Sequence, residues 1–181
     1  LGFDILSVSF NPSDEQQLLV VGLKDVVAFT LGSRGEVASR VVAELLLDSL
    51  GLGLPVHILK AVWLPGSASQ CAVLTNHFCK IYDLARDKIS PVHYFQVLDD
   101  TIKDISFVVT ERTSAPPGGA GQPPEAVGSS SALSSSARGG GTSGGGLVLL
   151  AITSSGMIFT QSLAASDASQ GPHLLTDALH V

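Results

Sequence analysis

The chain has 181 residues, of which 45% are hydrophobic and 14% charged, with a net charge of −6; that bounds it to about one domain and excludes a chain disordered throughout. Its ten Lys and Arg are scattered singly, which speaks against a phosphate-backbone or anionic-membrane partner. No stretch reaches the ~18 apolar residues of a membrane span, and the opening "LGFDILSVSF" lacks the basic flank of a signal peptide.

The first predicted elements lie in residues 5–31, "ILSVSFNPSDEQQLLVVGLKDVVAFTL". Leu6, Val8 and Phe10 alternate as one face of a strand. Leu18 to Val21 form a short continuous apolar run, as expected of a strand covered on both faces. A turn at Gly22 to Asp25 leads to a third strand that contains Phe29. "SRVVAELL" (39–46) follows; its Val37, Val41, Leu45 and Leu46 also fit a helical period, but comparison with the later copies favours a strand.

The pattern then repeats. Residues 58–84, "ILKAVWLPGSASQCAVLTNHFCKIYDL", align with 5–31 without a gap, Ile58 on Ile5, Trp63 on Phe10, Val73 on Val20 and Tyr82 on Phe29. "SPVHYFQVL" (90–98) supplies the fourth strand, with Pro91 at its start, where a missing N–H is tolerated. A third copy begins in "IKDISFV", with Phe107 at the place of Trp63, and resumes in "GLVLLAITSSGMIFTQSL", with Ile158-Phe159 at the place of Ile81-Tyr82. "GPHLLTDALHV" (171–181) would be its fourth strand. Between the halves, from Thr113 to Gly146, 22 of 34 residues are Gly, Ser or Pro. Such a segment buries too little apolar surface to offset its ordering entropy, so it is expected to be a disordered insertion.

Four strands repeating every ~44–53 residues are the pattern of a β-propeller. The expected fold is all-β, a partial WD40-like propeller of about three four-stranded antiparallel blades. Blade 1 is expected over 1–50, blade 2 over 51–100, and blade 3 over 101–112 and 147–181, with the insertion at 113–146. A β-sandwich is the competing architecture. Three blades do not close a ring, and an open arc exposes two apolar faces. That, and the start at Leu1 rather than Met, leads us to expect a piece of a longer propeller, or one whose open ends pair with another segment.

The residues offer little chemistry. Cys71 and Cys79 cannot make a disulfide framework or a four-ligand zinc site, and their apolar surroundings suggest buried reduced thiols in a reducing, cytoplasmic setting. Asn11-Pro12-Ser13 is no glycosylation acceptor, since Pro stands in the middle. His57, His77, His93, His173 and His180 show no HxH or HExxH spacing, and His77 falls in a predicted turn, where it should be solvated. Asp99-Asp100 reads as a solvated loop, with a cation site as the alternative. The glycine runs lack the Lys-Ser/Thr of a phosphate loop, and there is no GxSxG elbow. Asp25 stands in one inter-strand turn, but Asn76-His77 and Ser154-Ser155 stand in the others, so the Asp–His–Trp set of WD blades is not expected. No catalytic, cofactor-binding or metal residue is assigned. An adaptor of another complex, or part of a propeller enzyme with its site in other blades, stays open on residues alone.

Lys60-Ala61-Val62-Trp63-Leu64-Pro65-Gly66, Lys80-Ile81-Tyr82-Asp83-Leu84, Ser90-Pro91, and Gly156 followed by Ile158-Phe159-Thr160-Gln161 carry a resemblance. Here the sequence resembles the very large N-recognin E3 ubiquitin ligases called calossin or pushover in animals and BIG in plants. It covers about residues 56–110 and 147–175; the first blade matches less specifically and the Gly/Ser insertion departs from the family. The resemblance implies a parent ligase of the N-degron pathway, with zinc in a UBR box and in a Cys/His-rich module near the other end. Two cysteines supply neither cluster, so no functional residue carries over. What is implied for this segment is a non-catalytic, protein-binding scaffold, with the rest of the parent chain completing the propeller. Ubiquitin-pathway components or calmodulin are the implied partners.

Overall fold

The computed structural model describes residues 2–45, 47, 55–110, 146–163, 173–176 and 178–179. The expected insertion at 113–146 lies outside them except for Gly146, which opens a strand, and so does His180. The described residues contain thirteen strands in three sheets and no α-helix.

The first sheet is a meander of β1 (Ile5–Asn11), β2 (Asp14–Gly22), β3 (Val26–Leu31) and β4 (Val37–Ala43), all antiparallel. β4 makes a strand of the helix-or-strand segment as far as Ala43, with Val41 and Ala43 facing the core between the first two sheets; Leu46 lies outside the described residues. The second sheet repeats the meander with β5 (Ile58–Trp63), β6 (Gln70–Thr75), β7 (Cys79–Asp83) and β8 (His93–Gln96). The third has β9 (Ile102–Thr110), β10 (Gly146–Thr153) and β11 (Ile158–Leu163).

Register shows the repeat more sharply than the sequence does. Ile5 pairs with Gly22, Ile58 with Thr75 and Ile102 with Thr153, and in each sheet a register shift follows at once. Phe10, Trp63 and Phe107 then pair with Leu18, Cys71 and Leu149, all one slot. The third copy departs from the alignment at its β10–β11 turn. In the second sheet the Thr75 N–H donates to the Phe78 carbonyl at 2.8 Å; in the third the Thr153 N–H donates to the Met157 carbonyl at 2.9 Å, one residue further on. Gly156, at φ 85°, supplies the left-handed position of this longer turn. Phe159 consequently pairs with Ala151, the slot that Lys80 fills opposite Val73, and Gln161 takes the place of Tyr82. A displacement of two residues leaves every side chain on its original face, so the aromatic still packs inward.

The expectation of a single fourth strand over 171–181 is corrected. β12 (His173–Leu174) pairs in parallel with β8 of the second sheet, and β13 (Ala178–Leu179) pairs with β11 of the third. The second sheet thus has five strands and one parallel pair, rather than four antiparallel ones. The physical reason is at Leu175. Its N–H donates to the Gln96 carbonyl at 2.9 Å, and its side chain is buried in the core between the second and third sheets. The open edge of β8 is paired, and an apolar side chain is removed from water.

The sheets stack, with one core in each gap. The first core joins Leu19, Val21, Val26 and Ala28 of the first sheet to Ala61, Trp63, Cys71, Val73 and Tyr82 of the second. The second core joins Ala72, Leu74, Cys79, Ile81 and Phe95 to Ile105, Leu149 and Ala151, with Phe107 and Phe159 packed against it. The central sheet is covered on both faces, which explains the unbroken apolar run of β6.

Candidate interaction surfaces

The turn after each second strand is tied to the segment entering a first strand. In the second sheet Asn76 does this: its Nδ2 donates to the Pro55 carbonyl at 3.0 Å, and its Oδ1 accepts from the His57 N–H at 3.0 Å. In the third sheet the roles are exchanged between loop and turn. Asp100 enters β9, and its carboxylate accepts from the Ser154 hydroxyl and, at 2.6 Å, from the Ser155 hydroxyl. These bonds hold its pKa well below the usual carboxylate range. Asp99 beside it adopts φ 56°. Asp100 is therefore a structural tie within the loop that the sequence suggested. At the matching place of the first sheet, the Leu23 carbonyl accepts from the Ile58 N–H at 2.8 Å and joins the first two sheets.

Among the described residues the histidines do not converge. His57 uses its backbone as above, and His93 stacks on Phe95 with ring centroids 5.8 Å apart. His173 lies in β12, where its backbone pairs with Phe95. His77 is in a turn as expected and is half-buried; its Nε2 is buried and finds no partner among the described residues. Among the described residues no three His, Cys, Asp or Glu side chains gather as a metal set, and no helix is long and apolar enough to cross a membrane.

Cys71 and Cys79 are buried, and burial pushes both thiols up to about 12, which suppresses the reactive thiolate at neutral pH. Asp83 ends β7 locally, accepting from the Ser69 hydroxyl at 2.8 Å and the Ala85 N–H at 3.2 Å. Sequence reasoning missed Lys80, a buried lysine between the first two sheets. Its ammonium lies 4.6 Å from the Phe78 ring centroid and 5.1 Å from that of Tyr94, and donates to the Leu45 carbonyl at 3.4 Å. Cation–π attraction offsets part of its desolvation, which still lowers its pKa. The available signal was its place in "CKIYD" between Cys79 and Ile81, both buried. Burial also raises the pKa of Tyr82, whose hydroxyl has no partner among the described residues.

A cavity of about 180 Å³ opens between the first two sheets, beside Trp63 and lined also by Gln17, Thr30, Val41, Ser69 and Leu84. The indole N–H donates to the Ser9 carbonyl at 3.3 Å, and Asn11 Nδ2 to the Ser67 carbonyl at 3.0 Å, so polar bonds bridge the sheets near its mouth.

No family model matches the chain. Over 108 residues, 60% of the chain, it is 42% identical to a Dictyostelium discoideum protein named "Probable E3 ubiquitin-protein ligase". Over 106 residues it is 46% identical to auxin transport protein BIG of Oryza sativa subsp. japonica. Protein purity of essence of Drosophila pseudoobscura pseudoobscura is 30% identical over 178 residues, 98% of the chain. The chain is similar to a short stretch of giant proteins. It spans only 2–3% of their length. These names support the giant E3 ligase family, and the third match extends the similarity over all three sheets.

Proposed function

We propose that this chain is a non-catalytic propeller segment of a very large E3 ubiquitin ligase of the N-degron pathway, and that its three sheets are consecutive blades. The observation that carries the reading is the 42% identity to a stretch making up 2% of a protein named as an E3 ligase. The repeated register and the pairwise burial of sheet faces support blades. The side chains are spent on cohesion, so the segment's contribution is shape: a rigid element that offers surfaces to protein partners, ubiquitin-pathway components or calmodulin among them. Zinc-dependent recognition and ubiquitin transfer belong elsewhere in the parent chain, which we place in the cytoplasm.

The test is made in the full-length ligase. Trp63→Asp puts a charge into the core between the first two blades. Ubiquitin discharge from a charged conjugating enzyme should persist, whereas substrate turnover and co-purifying partners should be lost. Loss of discharge itself, with the protein still soluble and of native mass, would overturn the non-catalytic reading; unchanged turnover would overturn the scaffold role.

A further inference from the structure

The two gaps between the sheets are not equally filled, and the hydrogen-bond register allows their walls to be compared slot by slot. On the wall nearer the N-terminus, Ala28 pairs with Leu19 in the first sheet and Ile81 with Ala72 in the second, so Ala28 and Ile81 hold one slot of the gapless alignment. On the facing wall, Cys71 pairs with Trp63 and Leu149 with Phe107, which sets Ser69 and Leu147, two residues earlier in each, at one level. Their neighbours agree: the Leu84 N–H donates to the Ser69 carbonyl at 3.0 Å, and Leu147 pairs with Leu163. In the second gap Ile81 is wholly buried, and Leu147 and Leu163 pack against the same core. In the first gap an alanine and a serine stand in place of the isoleucine and the leucine.

The cavity of about 180 Å³ lies where those two side chains are missing, lined by Ala28 and Ser69 together with Val41, Trp63, Leu84 and Ala85. An apolar cavity of about 150 Å³ admits benzene, so this one has room for a single branched aliphatic side chain. A void forfeits the dispersion contacts that its lining atoms would otherwise make. An inserted side chain restores them, and continues the first interface as Ile81 and Leu147 continue the second. The mouth is polar. Gln17 Nε2 donates to the Thr30 hydroxyl at 3.3 Å and the Ser69 hydroxyl to Asp83 at 2.8 Å, which leaves the Gln17 amide oxygen and the Ser69 hydroxyl oxygen as acceptors for peptide N–H groups. Helical backbone has already spent its N–H groups internally, and a hydrocarbon chain has none.

We propose that this cleft receives a leucine or isoleucine side chain from an extended segment of a partner protein. The anchor takes the place that Ile81 and Leu147 fill in the next gap, and the polar mouth takes the segment's backbone. The proposal rests on the scaffold reading above and names the chemistry of its partner.

Photo-crosslinking on the full-length ligase tests it. The probe is a capped pentapeptide, serine throughout except for photo-leucine at its centre. Crosslinks should map to the segments that carry Val41, Trp63 and Leu84. An excess of the same peptide with ordinary leucine should suppress them, whereas the peptide with central alanine should compete about tenfold less well or worse. Ala28→Ile and Ser69→Leu each copy the next gap's side chain into the cleft and should abolish the crosslinks. The alanine comparison is made on the unaltered ligase, so it decides even where a filled variant misfolds. Crosslinks found only elsewhere, equal competition by the alanine peptide, or crosslinks that persist in folded, filled variants would overturn the proposal. Displacement by decanoic acid at a lower concentration than by the leucine peptide would also overturn it, and make the cleft a lipid site. None of these outcomes bears on ubiquitin discharge or on the loss of partners in Trp63→Asp, so the scaffold reading stands or falls by its own test.

Discussion

Phe10 and Trp63 occupy the same register slot of successive sheets, yet Phe10 is 58% exposed and Trp63 6%. Both are large aromatics at the inner end of a first strand, facing the same way along the stack. The difference is the neighbour. Trp63 meets Leu19, Val21 and Ala28 of the preceding sheet, while nothing described precedes Phe10. Exposure of an apolar side chain in a repeat array thus reports what is missing beside it rather than what the residue is suited for.

The largest effect should come from truncating the two residues side by side. Trp63→Ala removes a buried aromatic together with its indole bond to the Ser9 carbonyl, and should cost about 3–5 kcal/mol. Phe10→Ala in dilute protein should change stability by no more than about 0.5 kcal/mol, as at other surface sites. Urea unfolding of both variants measures the contrast. Raising the protein concentration sharpens it: if a second sheet comes to cover Phe10, its truncation becomes costly too. Equal losses at all concentrations would mean that the two slots are equally covered.

Next in size is the response to alkali, in which the covered central sheet sets the behaviour. Cys71 lies in one core and Cys79 in the other, both raised to about 12 by burial. In the unfolded chain these thiols ionise near pH 8.5, so above that pH the folded state binds more protons and stability falls as pH rises, up to about 12. Tyr82 and Tyr94, also raised by burial, add to the fall at higher pH. Lys80 opposes it: its folded pKa is lowered, so the unfolded state binds more protons between that value and its ordinary one, and stability gains with pH there. Four groups outweigh one. Melting temperatures should drop steadily from pH 8.5 to 11, and Cys71→Ala should flatten that slope. A flat profile for the unaltered chain would show that the thiols are not buried as described.

Tyr82 and Phe29 share a slot, and Tyr82 differs from Phe29 in carrying a hydroxyl with no partner among the described residues. An unsatisfied buried hydroxyl costs about 1–3 kcal/mol. Tyr82→Phe should therefore stabilise the chain, by roughly 1 kcal/mol after relaxation of the surrounding core. A loss of stability in thermal or urea unfolding would mean that the hydroxyl has found a bond after all.

Much of this comparison was legible in the sequence, because strands announce themselves by period and the gapless match of 5–31 to 58–84 fixes equivalent slots. Phe10, Trp63 and Phe107 were placed correctly, since β1, β5 and β9 share one register shift at the same position. Phe159 was misplaced by two residues: β10 already lies one residue further on, with Leu149 rather than Val148 in the slot of Cys71, and the turn after it is one residue longer. The crossing of His173–Leu174 to the second sheet could not be read: two paired residues carry no period, and the open edge they cover belongs to β8, far back in the chain. Lys80 was passed over because lysine is seldom buried; only its position inside a doubly covered strand marks it.

The smallest effect concerns the two ties at matching turns. Asn76 holds the second sheet's turn as a neutral amide that both donates and accepts, whereas Asp100 holds the third as an acceptor alone, with the donors supplied by Ser154 and Ser155. The Asp100 carboxyl is held below its ordinary range in the folded chain, so its contribution is present above the unfolded value near 4 and is lost as pH falls through the lower folded value. The Asn76 tie does not titrate. Lowering the pH below 4 should speed amide exchange at Ser154 and Ser155 relative to Asn76, after correction for the intrinsic acid dependence. Asp100→Asn should remove that difference, since its amide no longer responds to pH, while leaving the melting temperature nearly unchanged because the group is at the surface. Equal acid sensitivity of the two turns in the unaltered chain would show that the carboxylate is not what secures the third sheet's turn.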